Sequence, residues 1–466
     1  MSRGSVNQPK PAYSHGLMAT KHYDLLVIGT GAAATAIATQ VRAAKWKVAI
    51  VDHRPFGGTC QLRGCDPKKV LRSGTAAFDY ARRMRAHGLA GEVRVDWPAL
   101  MAFKRGFTDS VPRQKEKGYR DKGIDSYHGW ARFTGKRSLD VGGQAIEAEH
   151  IVLATGAEPV KLGITGEEHL VDNEGFMSLA SLPKRIVMAG GGYIAAEFSH
   201  IAARAGAKVT VLQHDARMLT RFEPELVDWL MESFRDLGVD VRTGTSVESI
   251  EKQGGGFKVN ASAGGKPLSI AADLVVHAAG RKPDFGPLGL EAAGIAVEQG
   301  RLKLNAYLQS VSNRAVYAAG DAALVGPPLT PVAGIDAEAV AANLLKGNHH
   351  KPDYTAVPSV AFTLPPIASV GLGEKEARTQ KKKFKVNCKK ASDWFTAKQE
   401  AEPVYGYKIL VQERTGKILG AHLVGPHVDE VINLFAFAIR HGHTAEELKS
   451  TVFAYPTGAS DIGSML

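Results

Sequence analysis

Two stretches of this chain repeat one local design: a buried strand, a glycine turn, a helix and a second strand. His22-Tyr23-Asp24-Leu25-Leu26-Val27-Ile28 is a short apolar run that reads as a buried parallel strand. Gly29-Thr30-Gly31-Ala32-Ala33-Ala34 follows, opening a helix that runs to about Ala44, and Lys47 to Asp52 is the next strand. Gly29 permits the tight turn, Gly31 lets a pyrophosphate approach the backbone, and Ala34 allows close helix–strand packing. The helix N-terminus then faces the phosphates. Asp52, at the end of the second strand, is placed to bind ribose hydroxyls.

The second unit has Arg185 to Ala189 as strand, Gly190-Gly191-Gly192-Tyr193 as loop and helix start, and Lys208 to Leu212 as the following strand. Two such units in one chain imply two dinucleotides, most simply a flavin and a nicotinamide. The second unit ends in Gln213 rather than an acid. A carboxylate there suits a ribose 2′-hydroxyl and repels a 2′-phosphate. His214, Arg217 and Arg221 can hold that phosphate by charge-assisted hydrogen bonds, which favours NADPH over NADH.

Between the units lies Gly57-Gly58-Thr59-Cys60-Gln61-Leu62-Arg63-Gly64-Cys65-Asp66-Pro67-Lys68-Lys69, with two of the three cysteines. A dithiol beside a bound nucleotide cofactor points to electron transfer through sulfur. Zinc ligation is the competing reading. A closed zinc site needs four ligands, and no second Cys/His cluster at metal spacing is present, so no metal site is expected.

The 466 residues are too many for one core, and a composition of 44% hydrophobic and 23% charged residues is that of a folded soluble protein. Three cysteines cannot form a disulfide framework, which points to a reducing compartment and a cytoplasmic location. No apolar run long enough to span a membrane appears. Residues 1–20 are expected to be a disordered leader, with Met18 an alternative start. The net charge of +11 is densest at Lys381, Lys382, Lys383, Lys385, Lys389 and Lys390. Lysines on a strand edge discourage strand pairing, and this reading is preferred to nucleic-acid contact because no recognition motif accompanies them.

Residues 70–120 read as long amphipathic helices, including Ala76 to His87 and Trp97 to Tyr119. Ile151 to Gly156 and Ala271 to Gly280 are strands with glycine exits, and Val316 to Asp321 repeats that design. From about Tyr354 alternating strands and an apolar helix, Glu430 to Arg440, suggest a third α+β domain. The expected fold is α/β: two Rossmann-like dinucleotide-binding domains followed by a C-terminal α+β domain, whose apolar helix serves either a core or a subunit interface.

From about Lys21 to Asp461 the chain resembles the class I pyridine nucleotide-disulfide oxidoreductases, which include glutathione reductase, dihydrolipoamide dehydrogenase and mercuric reductase. The motifs GxGxxA, GGTCxxxxGC, ATG, GGGYIAAE, AAGRKPD and AAGD occur in the family's order. The resemblance implies FAD, a reduced nicotinamide and a homodimer whose active sites are completed by the partner's C-terminus, with boundaries of 21–153 and 281–350 for the two parts of the FAD domain, 154–280 for the NAD(P) domain and 351–466 for the dimerisation domain. It implies that Cys60 is the interchange thiol that meets substrate and Cys65 the thiol against the flavin. By the same resemblance Lys69 stands near the flavin with Glu197 as its ion-pair partner, and Tyr193 gates the nicotinamide site. Gly58, Thr59, Ala131, Thr155, Gly156, Asp321 and Thr330 match flavin contacts, and Gly280 and Arg281 match the loop near the nicotinamide nucleotide.

Three departures bear on the acceptor. After the second cysteine the family has an apolar residue, proline, Ser or Thr, then Lys; here stand Asp66, Pro67, Lys68 and Lys69. Asp66 should raise a neighbouring thiol's pKa and Lys68 should lower it. Disulfide reductases of the family end in a His-Pro-Thr-x-x-Glu motif whose histidine protonates the leaving thiolate; here Tyr455 replaces the histidine and Ser460 the glutamate. Tyrosine, with an ordinary pKa of ~10, is a poor base at neutral pH. Mercuric reductases also carry tyrosine near that position and deliver metal through a C-terminal cysteine pair, which this chain lacks.

The expected activity is therefore an FAD-dependent NAD(P)H:disulfide oxidoreductase of glutathione-reductase type, with a small disulfide as acceptor. The alternative sends the same electrons to a metal ion, quinone or reactive oxidant that needs no histidine. A non-catalytic flavin-binding module is a third reading, and the intact Cys60 and Cys65 argue against it.

Overall fold

The computed structural model describes residues 19–466, so the leader and the alternative start at Met18 lie outside the described residues, save Ala19 and Thr20. The first glycine unit builds a sheet around the strand Lys21–Ile28. That strand pairs in parallel with Val48–Asp52 on one side and Gln144–Leu153 on the other, with Leu26 opposite Ala49 and Ile151. Leu25, Leu26, Val27 and Ile28 are all buried, as expected of a parallel strand covered on both faces. Helices Ala32–Ala43 and Thr330–Lys346 bury Ile37, Val41, Val340 and Leu344 in the same core. Val316–Ala318 returns after the second unit to pair with Gln144–Leu153, so this sheet takes strands from both sides of an inserted unit.

That inserted unit centres on Arg185–Ala189, which lies parallel between Lys208–Leu212 and Leu274–His277, with Asp240–Arg242 outermost. A three-stranded antiparallel sheet, Thr245–Gln253, Gly256–Ala263 and Lys266–Ala272, covers part of it. The last sheet has five antiparallel strands, from Ser359–Ala361 at one edge to Phe384–Lys390 at the other. Helix Val428–His441 packs on it through Val428, Val431, Ile432, Phe435 and Ala438, and its opposite face leaves Phe437 exposed.

Of the lysine cluster, Lys385, Lys389 and Lys390 are exposed on the edge strand Phe384–Lys390, Lys381 to Lys383 stand in the turn before it, and Lys390 bonds Glu232 at 2.6 Å. That position fits lysines that block edge pairing. Two helix expectations are corrected. The helix expected over Ala76 to His87 begins at Cys65 and runs to Met84. The one expected over Trp97 to Tyr119 is two, Trp97–Thr108 and Val111–Asp121, with Pro112 in the first turn of the second, where no backbone donor is needed.

Candidate active site

Gly58–Arg63 forms a short helix, Gly64 breaks it, and the long helix starts at Cys65. This break brings Cys60, from the first helix, against Cys65, in the first turn of the second. Both thiols are free. Cys65 Sγ lies 3.6 Å from Thr330 Oγ1, at the start of helix Thr330–Lys346, and Cys60 Sγ lies 3.8 Å from Asp66 Oδ1. The Cys60 and Cys65 thiols are hydrogen-bonded to each other. The Cys60 thiol hydrogen bond, the Thr330 hydroxyl and the Lys68 charge pull the Cys65 pKa down, against its burial. The same hydrogen bond, burial and Asp66 push Cys60 up. The opposed effects expected of Asp66 and Lys68 thus fall on different sulfurs. Cys65, at a helix N-terminus, is the sulfur whose thiolate form is favoured.

The lysine assignment is corrected. Lys68 makes the ion pair with Glu197, whose side chain is 2% exposed. Lys69 sits 3.4 Å above the Phe362 ring and 3.9 Å from Asp429. Adjacent residues on a helix point about 100° apart, so only one of the two lysines reaches the helix Tyr193–Arg204 that carries Glu197. Glu197 also accepts from the Phe362 backbone N–H at 2.8 Å.

A groove runs beside the dithiol between the first glycine turn and the crossover strands. Gly29, Gly31, Asp52, Gly58, Thr59, Ala131, Thr155 and Gly156 line it. Gly29 has a φ of +110°, and a Cβ there would collide with the Ala154 carbonyl. Gly58 packs on the Cα of Gly31, closing the two glycine turns together. Asp52 accepts from Thr30 Oγ1 at 2.7 Å and from the Arg54 N–H at 3.0 Å, so its carboxylate is held at the groove edge. Thr155 donates to the Asp284 carbonyl. Burial pushes the Asp321 carboxyl up, with Arg281 opposing it.

Arg63 was not foreseen. Its Nε is buried without a hydrogen bond, with Glu174 3.4 Å away, and it faces the groove. An under-bonded guanidinium, a glycine-lined cradle and a held acid fit the pyrophosphate and ribose of FAD. Nothing in the sequence distinguishes Arg63 from a surface arginine.

At the second glycine loop, Gly190 turns against Ala278 as Gly29 does against Ala154, and Gly192 precedes the helix Tyr193–Arg204. The Tyr193 ring packs on Phe222 at 5.6 Å. Gln213 crosses Gly191 and donates to Asp215 Oδ2 at 2.9 Å, and His214 Nε2 is 3.2 Å from Asp215 Oδ1. His214, Arg217 and Arg221 are exposed around this loop. Arg281 departs from expectation. It bonds Asn173 Oδ1 at 2.8 Å and the Ala157 carbonyl, so its guanidinium is engaged at the crossover beside the first groove, while Gly280 lies two residues beyond Ala278.

The family model for pyridine nucleotide-disulphide oxidoreductases matches residues 23–337, and that for their dimerisation domain matches 357–466. The chain belongs to the pyridine nucleotide-disulphide oxidoreductase family. A mercuric reductase of Staphylococcus aureus is 32% identical over 94% of this chain and 81% of its own length. A glutathione reductase of Burkholderia cepacia is 30% identical over 94% and 97%. Among solved structures, the Cu(II) complex of the HOCl-induced flavoprotein disulfide reductase RclA from Escherichia coli superposes with a TM-score of 0.85 at 27% identity, covering 96% of this chain and 99% of that one. The protein is thus an oxidoreductase of the flavoprotein disulfide reductase family, with FAD and a nicotinamide nucleotide as its cofactors.

Against the pattern of that family, the C-terminal segment is unusual. Tyr455 is 80% exposed and makes no side-chain hydrogen bond within the described chain. Ser460 caps a short turn reciprocally with Thr457, so it does not orient Tyr455. Asp461 accepts from the Tyr405 hydroxyl at 2.9 Å. Among the described residues no group of three or more His, Cys, Asp or Glu could hold a metal ion, and no helix is long and apolar enough to cross a membrane.

Proposed function

We propose that this family member is a homodimeric, FAD-dependent NADPH:acceptor oxidoreductase whose reducing power leaves through Cys60 and Cys65 to a small oxidised acceptor. The reading is carried by the sulfur pair: Cys60 stands against Cys65 at the start of a long helix, and Cys65 Sγ lies 3.6 Å from Thr330 Oγ1, with the Thr330 hydroxyl and the Lys68 charge favouring its thiolate form. FAD, held by Gly29, Gly31, Asp52, Arg63 and Thr155, supplies a two-electron relay between the nicotinamide and sulfur. Cys60 then attacks an acceptor disulfide; its proton passes to the first sulfur to leave, so a mixed disulfide forms and one thiol departs. The Cys65 thiolate attacks the Cys60 sulfur, which restores the intramolecular disulfide and expels the second half as a thiolate that takes its proton from water.

The NADPH preference is supported by Gln213 in place of an acid and by the exposed Arg217 and Arg221, with His214 beside them paired to Asp215. A second reading keeps the same electron path but ends at a metal ion or reactive oxidant. The unbonded Tyr455 favours it, as do relatives described as mercuric reductase and as an HOCl-induced reductase. Steady-state rates with glutathione disulfide, Hg(II), Cu(II), a quinone and hypochlorous acid, at fixed NADPH, separate the two. A disulfide rate well above the others selects the first, and the reverse order selects the second.

A further inference from the structure

The family pattern places an apolar residue immediately after the second active-site cysteine, and this chain has Asp66 there. The side chain does not turn back along its own helix to bond Cys65. It reaches the other sulfur, with Oδ1 at 3.8 Å from Cys60 Sγ. Cys60 therefore has two anions beside its proton, the Cys65 thiolate from one side and the Asp66 carboxylate from the other, with the Thr330 hydroxyl as the other polar neighbour. The nearby cations are engaged elsewhere. Lys68 is paired with Glu197, and Lys69 is turned to Phe362 and Asp429.

We propose that Asp66 is an acceptor-selecting residue, which keeps the proton on Cys60 and so suppresses, at neutral pH, reaction with acceptors that need a preformed Cys60 thiolate. The inference rests on Cys60 being the thiol that meets the acceptor in the function proposed above. A carboxylate is too weak a base to take a thiol proton to any useful extent, because the two groups ordinarily titrate about five pH units apart. Its effect is electrostatic: a negative charge ~4 Å from sulfur, even at the dielectric of water, disfavours thiolate by about sixfold. Ordinary disulfides are discriminated against, and acceptors reactive enough to take electrons from a thiol are spared.

The test is the pH profile of Cys60 alkylation. Wild type, Asp66→Asn and Asp66→Val are reduced with dithiothreitol, freed of reductant and pulsed with iodoacetamide between pH 5.5 and 9.5, and the Cys60 peptide is quantified by mass spectrometry. The proposal predicts that both variants shift the Cys60 midpoint down by about 0.8 pH unit and raise its alkylation rate at pH 7 about sixfold. Superimposable profiles would overturn it, and so would slower alkylation in the variants, because that would make Asp66 a proton acceptor. Should both variants fail to fold, wild type at about 1 M salt, where screening acts over ~3 Å, must show a downward shift, and an unmoved midpoint overturns the proposal. Because the protein is reduced chemically, the profile is obtained whether or not NADPH reduces the dithiol. A failure of the electron path is therefore seen separately, as NADPH that liberates no thiols.

Discussion

The Lys68 ammonium lies against the buried Glu197 carboxylate, and this pair ties the dithiol helix to the helix that follows the second glycine loop. Replacing Lys68 with Ala leaves Glu197 buried and unpaired. The expected cost is about 3–5 kcal/mol of stability, together with slower flavin reduction by NADPH. Lys69→Ala removes only a half-exposed cation over Phe362, worth about 1 kcal/mol. Denaturation midpoints and stopped-flow flavin reduction of the two variants check this, and equal effects at the two lysines contradict it.

Tyr455 stands where a histidine would act, and no neighbour within the described chain holds it. The double variant Tyr455→His, Ser460→Glu restores an imidazole. It keeps the turn capped, because Glu at the third position of the turn pairs naturally with Thr457 at its start. Glutathione disulfide reduction at pH 7 should rise, by up to about 10²-fold. An unchanged steady-state rate means that the missing imidazole does not limit turnover.

Glu402 lies buried beside Arg83 at 3.7 Å, and burial pushes its carboxyl up to about 7. A carboxyl raised in the folded state binds its proton more tightly there than in the unfolded chain. Stability should therefore fall as pH rises from about 4.5, the ordinary value, to about 7, by roughly 3 kcal/mol at most, and then level off. Glu402→Gln should flatten that part of the curve. Thermal midpoints of both proteins from pH 4.5 to 8 provide the check, and parallel curves refute the assignment.

Arg217 is exposed next to the second glycine loop, where a 2′-phosphate is expected to sit. Arg217→Ala should raise the KM for NADPH about tenfold, the loss of one charge-assisted contact, and leave that for NADH unchanged. Equal changes for both nucleotides would remove Arg217 from phosphate recognition.

Much of the fold could be read from the chain because glycine turns leave a sharp local trace. Gly29 and Gly190 stand where a side chain would strike the neighbouring strand, so their spacing from the flanking apolar runs locates both units. The dithiol was legible for the same reason, since Gly64 breaks one helix so that a second begins at Cys65. The lysines were not. Lys68 and Lys69 are chemically identical neighbours, and only the rotation of the helix decides which meets Glu197. Arg63 and Arg281 acquire their partners, Glu174, Asn173 and Ala157, across more than 100 residues of chain, and local pattern does not encode such contacts. The helix expected from Trp97 to Tyr119 broke at Asp109 and Ser110 because its apolar period continues through the turn.

The most direct test of the account is an anaerobic titration of the oxidised holoenzyme with NADPH, with thiols counted at each addition. The account predicts that the flavin bleaches and that two thiols appear per subunit, and that Cys60→Ser, which cannot form the pair, releases none. Bleaching without new thiols, or the same thiols released from Cys60→Ser, would contradict it.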